Sequence, residues 1–552
     1  MAEPLVPSKH QPALPMDRLI REEAPGEDGV PMDVVFVGAG PAGLAGAIEL
    51  SRLVKADEKA GGGLGEVNIA VLEKAESLGQ HNLSGAVVDP SAFRELFPEL
   101  KDADFPFRGV VSAERVYFLT SSGSWRIPTP PPMRNHGNHV GSICEIVRWL
   151  GEKAEGLGVN LFTGFPVESL LVQGGRVVGV RTTATGLKRD GTPGPGYQAP
   201  TDVGARFVAL SEGTRGSLAQ AWMRWAGVDS PNPQIDALGV KELWRLGKPL
   251  DAVVHTMGWP LPGDVFGGSF FYPMGGDLAS IGIVAGLDAP RTSLDVHALL
   301  QRMKGHSLFR PYLEGGELLE WGAKTIPEGG WWSLPARLAA RGVLLLGDAA
   351  GFVDVAGLKG IHHAMKSGIE AARAIFRALK AKDESEDALS SYDAAMHKSP
   401  TMQVLRERRG MRLAFKSGFV LGGMKASLLT LTKGAFPGGQ REVEADADEP
   451  RRVTATEPFA PDGKLSFSKV DGVFRSGNKT RDDVPLHLLV GKDIPPDVAD
   501  LYAALCPAGV YERRGDALVV NAPNCIDCKA TDVLGPRWTP REGGSGPRYQ
   551  RM

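Results

Sequence analysis

Three of the four cysteines in this 552-residue chain lie near its C-terminal end, at Cys506, Cys525 and Cys528. The last two form a C-x-x-C pair, and a Cys-Pro step precedes them at a distance. Thiolates from one compact loop and one remote point are typical of iron–sulfur ligands. A structural zinc site needs four Cys or His ligands, and no histidine follows His487. The spacing therefore favours an iron–sulfur cluster, with zinc and a site without metal as the alternatives.

A glycine-rich turn stands near the start of the chain, in the segment VVFVGAGPAGLAGAIEL. Gly38 allows a tight turn, Gly40 lets the backbone approach a pyrophosphate at a helix N-terminus, and Gly43 lets that helix pack on the preceding strand. Glu73, at the end of the next predicted strand, is expected to hold a ribose hydroxyl. The order of strand, turn, helix, strand and acid predicts a dinucleotide site.

A second element indicates that the dinucleotide is FAD. Gly347-Asp348 follows a hydrophobic strand and precedes an amphipathic helix, an arrangement that resembles the second FAD motif of aromatic-hydroxylase-type flavoproteins. Asp348 is then expected near the ribityl–pyrophosphate part of FAD. The N-terminus of the following helix is expected to face the flavin ring, where its dipole favours an anionic reduced ring.

Composition excludes some classes of protein. A formal net charge of −3 argues against a nucleic-acid-binding surface. The N-terminus is rich in acids and lacks an apolar stretch, so neither a signal nor a transit peptide is expected, and a bacterial cytoplasmic origin is the simplest interpretation. The most apolar run, residues 413–436, is interrupted by three lysines and is not expected to cross a membrane. Composition by itself favours a core helix there, with a membrane-surface position as the alternative.

The order of predicted elements suggests the organisation of the chain. Hydrophobic strands are predicted at 33–37, 67–73 and 342–346, and a polar, glycine-rich segment at 54–66 follows the first helix. Many short β-rich runs lie between the second and third of these strands. Residues 437–457 are polar and acidic and predict a boundary before the cysteine region.

Both motifs together resemble one family, the electron-transfer flavoprotein–ubiquinone oxidoreductases. The resemblance runs from about residue 33 to the end and rests on many stretches in the same order. They include GQHNLSGAVVDP (79–90), PMRNHGNHV (132–140), KELWRLGKP (241–249), FGGSFFY (266–272), LKGIHHAMKSGI (358–369), CPAGVYE (506–512) and EGGSGPRY (542–549).

The resemblance implies a fold of class α/β plus α+β. A Rossmann-like FAD domain of the aromatic-hydroxylase type (33–440, after a polar tail at 1–32) would interlace with a β-rich quinone-binding domain (about 235–335 plus part of 105–205). A ferredoxin-like iron–sulfur domain would follow at 441–552. Residues expected at FAD are Gly38, Gly40, Gly43, Glu73, Ser84, Gly85, Glu212, Gly213 and Asp348, and those at the quinone are Gly267 and Gly268. Segments 105–118 and 413–436 are expected to touch the membrane, which replaces the core-helix prediction.

The cysteine loop departs from the family pattern. The family has roughly C-x-x-C-K-T-C-D, whereas this chain has CIDCKATD, so Thr531 stands where the last thiolate is expected. Three outcomes are open: a 3Fe–4S cluster, a 4Fe–4S cluster with a fourth ligand from Asp527, Asp532, Thr531 or water, or no cluster.

The hypothesis from sequence is a membrane-associated oxidoreductase on the cytoplasmic face of a bacterial inner membrane. Electrons would pass from reduced electron-transfer flavoprotein through FAD and an iron–sulfur cluster to a membrane quinone, ubiquinone or menaquinone. No catalytic acid, base or nucleophile is required, because the cofactors carry the chemistry. The alternatives are an FAD-dependent prenyl-lipid reductase or oxygenase of the geranylgeranyl-reductase type, and a non-enzymatic docking protein.

Overall fold

The computed structural model describes residues 3–552. Its α-helices are α1 Met16–Leu19, α2 Pro41–Lys59, α3 Ser91–Leu96, α4 Ile143–Gly156, α5 Ser217–Ala226, α6 Val296–Lys304, α7 Arg310–Leu313, α8 Ile361–Ala381, α9 Ser390–Lys398, α10 Pro400–Glu407, α11 Met411–Ala414, α12 Phe419–Leu431, α13 Lys469–Arg475, α14 Pro496–Leu505 and α15 Ala530–Leu534. Short 3₁₀ turns lie at Pro7–His10, Asp102–Asp104, Pro131–Met133, Gly330–Ser333, Gly347–Ala349, Phe415–Ser417 and Ala522–Asn524.

The β-strands form several sheets of different size. They are β1 Ile20–Arg21, β2 Val30–Pro31, β3 Val34–Val37, β4 Ile69–Glu73, β5 Val87–Val88, β6 Gly109–Val110, β7 Glu114–Leu119, β8 Ser124–Ile127, β9 His139–Val140, β10 Asn160–Thr163, β11 Val167–Gln173, β12 Arg176–Thr182, β13 Thr185–Leu187, β14 Pro193–Gln198, β15 Asp202–Gly204, β16 Phe207–Leu210, β17 Asp236–Arg245, β18 Val253–Gly258, β19 Gly267–Pro273, β20 Leu278–Gly286, β21 Glu317–Pro327, β22 Ala339–Ala340, β23 Val343–Leu345, β24 Leu488–Leu489, β25 Tyr511–Arg514, β26 Ala517–Val520 and β27 Arg537–Trp538.

A six-stranded sheet in the order β10-β4-β3-β16-β23-β22 forms one core. Its first five strands are parallel, and β22 is antiparallel to β23. Strands β3, β16 and β23 are buried along their whole length, which explains their continuous apolar sequences. Because parallel strands end at the same edge, the loops after β3, β4, β16 and β23 meet there.

The helix after the first glycine turn is longer than the sequence indicated. α2 continues past Leu53 to Lys59, so the predicted glycine-rich segment at 54–66 begins as helix. The residues there are mostly good helix formers, and Asp57 is held by the side chain of Lys380. The polar residues at the start of this segment therefore belong to the outer face of α2 rather than to a loop.

A seven-stranded sheet in the order β21-β17-β20-β19-β18-β7-β8 forms the second core. Its neighbouring strands are antiparallel except β18 and β7, which run parallel. One face of this sheet, carried by Lys241 on β17 and Tyr272 on β19, borders the large cavity that also reaches the parallel sheet.

Residues 3–32 are packed on the molecule rather than standing apart as a tail. β1 pairs with β11 and β2 with β15 in a five-stranded sheet. Leu5 exchanges backbone hydrogen bonds with Arg451, at 2.9 and 2.8 Å. The division of the chain into three domains stays a prediction.

The C-terminal region carries the cysteines and shares a core with the seven-stranded sheet. Leu501 and Tyr502 on α14 belong to the same apolar cluster as Val240 and Trp321 of that sheet. Cys506 directly follows α14, and Cys528 lies two residues before α15. The cysteine loop is therefore anchored to the sheet that also borders the large cavity.

Helices α2 and α8 approach closely through small residues, which generates a stability prediction. A Cβ on Gly368 would lie 2.1 Å from the carbonyl oxygen of Ala42, so Gly368→Ala forces the two helices apart. We expect a loss of about 1–3 kcal/mol, measured as a lower urea midpoint. Gly156→Ala is the matched control because a Cβ on this exposed helical glycine meets nothing within 4 Å. Equal midpoints for the two variants would contradict the close helix contact.

Candidate functional site

The first glycine turn joins β3 to α2 with little space to spare. Gly38 has a φ of +104°, and a Cβ there would lie 2.5 Å from the carbonyl oxygen of Ser211. A Cβ on Gly43 would lie 2.2 Å from the carbonyl oxygen of Gly38. At Gly40 the nearest atom to such a Cβ is Asn82 Nδ2 at 3.8 Å, so the backbone stays accessible. The three glycines thus differ in their surroundings: Gly38 and Gly43 are tightly packed, and the backbone at Gly40 is accessible from the cavity.

A cavity of about 1650 Å³ runs from this turn to the start of β19. It exceeds the roughly 300–1,000 Å³ typical of one small-molecule site and has room for more than one ligand. Gly43 lies beneath the turn and is not part of the cavity wall. The predicted residues that line the cavity are Gly38, Gly40, Glu73, Ser84, Gly85, Glu212, Gly213, Asp348, Gly267 and Gly268.

Two of the predicted acids are held by backbone N–H groups. Glu73, at the end of β4, accepts hydrogen bonds from the N–H groups of Ala39 at 2.9 Å and Ala75 at 2.8 Å. Glu212 accepts a hydrogen bond from the N–H of Ala219 at 2.8 Å, in the first turn of α5. Burial raises the pKa of Glu212 above its usual range. Both carboxylates keep fixed positions at the edge where the parallel strands end.

Asp348 lies in the 3₁₀ turn after β23, where it lines the cavity. Burial raises the pKa of its carboxyl group to about 6. Gly360 and Ile361, at the N-terminus of α8, line the same cavity. An anion bound there would meet the positive end of the α8 dipole, as the sequence predicted for a reduced flavin.

Lysines that the sequence did not single out crowd one end of the cavity. Lys74, Lys324 and Lys529 all line it. Burial, together with the charge of neighbouring lysines, lowers the pKa of Lys324 to about 8 and that of Lys529 to about 7. Such crowding of positive charge favours an anionic ligand. Lys74 and Lys529 directly follow Glu73 and Cys528, and this adjacency could have identified them from the sequence. The position of Lys324 depends on strand pairing, which the sequence does not show.

Another unpredicted lysine supports the Ser84–Gly85 segment. Lys241 is fully buried, and its Nζ donates a hydrogen bond to the carbonyl oxygen of Ser84 at 2.9 Å. Burial lowers the pKa of Lys241 to about 8. The contact joins the seven-stranded sheet to the loop after β4, and chain order alone does not indicate it.

The predicted quinone glycines lie at the far end of the same cavity. Gly267 has a φ of +155°, and a Cβ there would lie 2.1 Å from the carbonyl oxygen of Val284 on β20. A Cβ on Gly268 would lie 2.8 Å from the carbonyl oxygen of Thr256. Packing against the neighbouring strands by itself therefore requires glycine at both positions.

Helix α12 forms part of the wall at this end and is largely exposed on its other side. Phe419, Gly423 and Leu431 line the cavity. Val420 is 76% exposed and Leu431 is 82% exposed, so the helix is not part of the core. The core-helix interpretation from composition is therefore wrong. Among residues 3–552, no helix is long and apolar enough to cross a membrane.

The other predicted membrane segment, 105–118, is divided between core and surface. Phe105 is buried and packs against Phe93, whereas Val110 is exposed. Phe118 lies 5.6 Å from Phe419 between ring centroids and lines the cavity. Part of this segment thus adjoins α12, and part belongs to an aromatic core.

The three C-terminal cysteines converge on a second, small cavity. Cys506, Cys525 and Cys528 line it and are all buried. Cys506 Sγ accepts a hydrogen bond from the N–H of Val510 at 3.5 Å. Burial raises the pKa of Cys525 to about 12 when no metal is bound. Three buried, convergent soft donors fit an iron–sulfur cluster. Cys144, the fourth cysteine, lies elsewhere and is buried among apolar residues.

Thr531 also lines the cysteine cavity, in the position predicted for the fourth ligand. Its Oγ1 lies 3.4 Å from the phenolic oxygen of Tyr511, which lines the cavity as well. Asp527 and Asp532 do not line it, although the sequence offered both as donors. The two cavities share wall residues Lys529 and Trp538.

Two family models match the chain. Residues 237–326 match the family described as ETF-QO, ubiquinone-binding, and residues 463–550 match the family described as electron transfer flavoprotein-ubiquinone oxidoreductase, 4Fe-4S. The first covers β17 to β21 of the seven-stranded sheet, and the second covers the cysteine region.

Solved structures share the fold with this chain at low sequence identity. A geranylgeranyl bacteriochlorophyll reductase-like protein of Thermoplasma acidophilum has a TM-score of 0.56 and 18% identity, over 74% of this chain and 97% of that chain. A triple mutant of the flavin-dependent brominase Bmp2 has a TM-score of 0.50 and 16% identity, over 73% of this chain and 94% of that chain. These likenesses support the predicted mixed α/β fold and nothing finer.

Other relatives have a higher sequence identity to this chain than these solved structures have. The mitochondrial electron transfer flavoprotein-ubiquinone oxidoreductase of Dictyostelium discoideum is 36% identical over 568 residues, which cover 96% of this chain and 92% of the relative. The protein of the same name from Homo sapiens is 36% identical over 558 residues, which cover 94% of this chain and 89% of the relative. With this identity over nearly its whole length, the chain belongs to the electron-transfer flavoprotein–ubiquinone oxidoreductase family.

Proposed function

We propose that this protein takes electrons from reduced electron-transfer flavoprotein and passes them through FAD and an iron–sulfur cluster to a membrane quinone. The observation that carries this proposal is the shared wall of the two cavities. Lys529 and Trp538 border both the large cavity and the cysteine cavity, so two cofactors would be separated by little more than one layer of side chains. Membership of the family supports the same conclusion.

The parallel-sheet end of the large cavity is the proposed FAD site. The accessible backbone at Gly40 and the N-terminus of α2 suit a pyrophosphate, and Glu73 has acceptor capacity left for a ribose hydroxyl. Asp348 and the N-terminus of α8 would border the flavin end. Bound FAD supplies the exchange between one-electron and two-electron carriers, while these residues bind and orient it.

The seven-stranded sheet provides the proposed quinone site. Gly267 and Gly268 stand at the start of β19, on the cavity wall and close to α12. Their backbone would lie against the flat head group, and the apolar residues of α12 would surround its prenyl chain. This assignment places the quinone-binding part at about 235–335 with part of 105–205, interlaced with the FAD part within 33–440 and followed by the iron–sulfur part at 441–552.

Trp538 is the proposed spacer between the two redox sites. Its ring centroid lies 4.7 Å from Lys74 Nζ and 4.6 Å from Lys529 Nζ. Its Nε1 donates a hydrogen bond to Asp527 Oδ1 at 3.0 Å. The indole is thereby fixed in orientation, and the distance between flavin and cluster is held constant.

Asp527 connects the cysteine loop to both sides of this spacer. Its carboxylate pairs with Lys74 Nζ at 2.8 Å and with Arg541 Nη2 at 2.9 Å. Burial opposes ionisation, but Arg541 and Lys74 outweigh it and hold the pKa of Asp527 well below its usual range. The ionised aspartate therefore holds the cysteine loop in position and balances the positive charges of Lys74 and Arg541.

Helix α12 is the proposed membrane contact. Val420, Met424 and Leu431 are strongly exposed apolar residues beside the quinone end of the cavity. A water-soluble protein normally keeps such patches small unless they bind something. The helix would lie at the membrane surface and let a quinone enter without leaving the lipid. The cytoplasmic face of a bacterial inner membrane is the side that the sequence predicts.

A prenyl-lipid reductase of the geranylgeranyl-reductase type is the rival enzyme. It shares the fold, as the Thermoplasma protein illustrates at 18% identity. The cysteine region and the match at 463–550 favour the electron-transfer function instead. Product analysis with a geranylgeranyl lipid distinguishes the two, because the rival would reduce that lipid and leave quinone unreduced.

The electron route is tested by following flavin absorbance anaerobically with reduced electron-transfer flavoprotein and a short-chain quinone. We expect the donor to reduce the flavin and the quinone to reoxidise it. Gly268→Ala introduces a Cβ only 2.8 Å from Thr256 O, so kcat/KM for quinone should fall at least about tenfold while flavin reduction persists. Gly263→Ala, whose Cβ meets nothing within 4 Å, is the matched control. Failure of quinone to reoxidise wild-type flavin argues against the function.

Asp527→Asn should destabilise the protein by roughly 3–5 kcal/mol at pH 7, because it leaves buried cations unpaired. The depressed pKa of Asp527 means that its contribution is present above the unfolded pKa of about 3.9 and declines as pH falls below it. The difference in urea midpoint between wild type and Asp527→Asn should therefore shrink below pH 4. Asp516→Asn, in the exposed β25–β26 turn, serves as control and should match wild type. A pH-independent difference refutes the ion-pair assignment.

Sedimentation with phospholipid vesicles tests the membrane contact. The double variant Val420→Gln/Leu431→Gln should reduce the bound fraction at least about tenfold, because two side chains worth about 1.5–3 kcal/mol each no longer enter the lipid. Val470→Gln/Phe474→Gln removes equally exposed apolar residues from α13 and should leave binding unchanged. Equal loss in both variants would point to non-specific adhesion instead.

A further inference from the structure

The cysteine cavity offers three thiols and two hydroxyl groups. Cys506, Cys525 and Cys528 supply the thiols, and Thr531 and Tyr511 supply the hydroxyls. The hydroxyl oxygens lie 3.4 Å apart, so the two side chains form a pair on one side of the cavity. A 4Fe–4S cluster needs a ligand at each of its four irons. The chain supplies three thiolates, and the hydroxyl pair stands where the fourth thiolate is expected.

The nearby carboxylates are engaged elsewhere. Both oxygens of Asp527 are taken by Lys74, Arg541 and Trp538. Asp532 Oδ2 pairs with Arg215 Nε at 2.7 Å, and its Oδ1 accepts a hydrogen bond from the N–H of Trp538 at 2.9 Å.

Withdrawing Asp527 would leave the buried Arg541 without its carboxylate, and withdrawing Asp532 would remove the shorter of the two ion pairs of Arg215. Breaking a buried ion pair in this way is strongly destabilising. Neither carboxylate is therefore available as a ligand for a fourth iron.

His487 is a further side chain of ligand type near the cysteines. Its ring lies near Cys525 and Asp527, with ligand atoms of the three residues within 4.8 Å of one another. Leu488 lines the cysteine cavity, whereas His487 does not. The histidine therefore does not line the cavity onto which the three cysteines and Thr531 converge.

We propose that the chain holds a three-iron 3Fe–4S cluster on Cys506, Cys525 and Cys528, with the hydroxyl pair of Thr531 and Tyr511 at the corner where a fourth iron would sit. This inference rests on the proposed function for the presence of a cluster and deepens it at one site. A 3Fe–4S cluster needs only three thiolates and still carries one electron at a time, so it suits the same route. Neutral hydroxyls are weaker iron ligands than thiolates, and the corner stays without metal.

The test uses full-length protein purified anaerobically with its FAD. Iron and acid-labile sulfide analysis should give about three irons and four sulfides per chain. EPR should detect a centre that is paramagnetic when oxidised. Incubation with ferrous iron and thiol should leave both results unchanged. A centre that is paramagnetic only when reduced, uptake of a fourth iron, or absence of iron would each overturn the proposal.

Variants of Thr531, where a fourth iron would sit, and of His487 test the cluster type further. Thr531→Cys restores a fourth thiolate of nearly the same size and should convert the centre to one with about four irons that is paramagnetic when reduced. Thr531→Ser keeps the hydroxyl and His487→Ala removes the nearest imidazole; both should keep the wild-type EPR signal. Conversion in Thr531→Cys supports the assignment, whereas a changed signal in His487→Ala overturns it. If Thr531→Cys does not fold, the wild-type analysis and the other two variants decide.

Quinone reduction is measured separately on the same preparations. A three-iron centre in a protein that does not reduce quinone would retain this inference and refute the proposed function. A four-iron centre in a protein that reduces quinone would refute this inference and support the proposed function.

Discussion

The buried ion pair between Lys74 and Asp527 is the contact on which the arrangement of the whole site depends. Lys74 directly follows β4, and Asp527 stands between Cys525 and Cys528, 453 positions later in the chain. Its Nζ–Oδ2 distance is 2.8 Å, and the carboxylate is almost completely buried. Because a buried charge is costly without its partner, the cysteine loop and the end of the parallel sheet are held together. Trp538 and Lys529 are thereby fixed between the two cavities.

The apolar core supports this arrangement from the other side. The C-terminal region does not form a core by itself, since α14 packs into the cluster that contains Val240 and Trp321 of the seven-stranded sheet. That sheet also carries Gly267 and Gly268 on the wall of the large cavity. One sheet therefore positions the proposed quinone site on one side and the cysteine loop on the other, so the distances between redox centres do not depend on flexible linkers.

Much of the turn proposed to bind FAD was predictable because its constraints are local. A strand, a turn with Gly38, Gly40 and Gly43, a helix and an acid follow one another in the chain, and each is required by its neighbour. Where local composition was ambiguous, prediction failed: α2 extends through a polar stretch to Lys59, and α12 is exposed although its sequence suited a core. An apolar helix has the same composition in a core and at a surface, so only its surroundings distinguish the two.

The sequence by itself determined the motifs, the family and the missing thiolate at Thr531, because these depend on residue identity and order. Only the tertiary structure decided what surrounds that position. It brought Tyr511 to Thr531, engaged Asp527 and Asp532 with basic side chains, and left three thiols facing one cavity. These contacts join residues that are distant in the chain, and their geometry follows from strand pairing and buried charge rather than from spacing. For that reason the sequence left three outcomes open at the fourth corner, and the three-iron cluster proposed above is argued from contacts that only the tertiary structure provides.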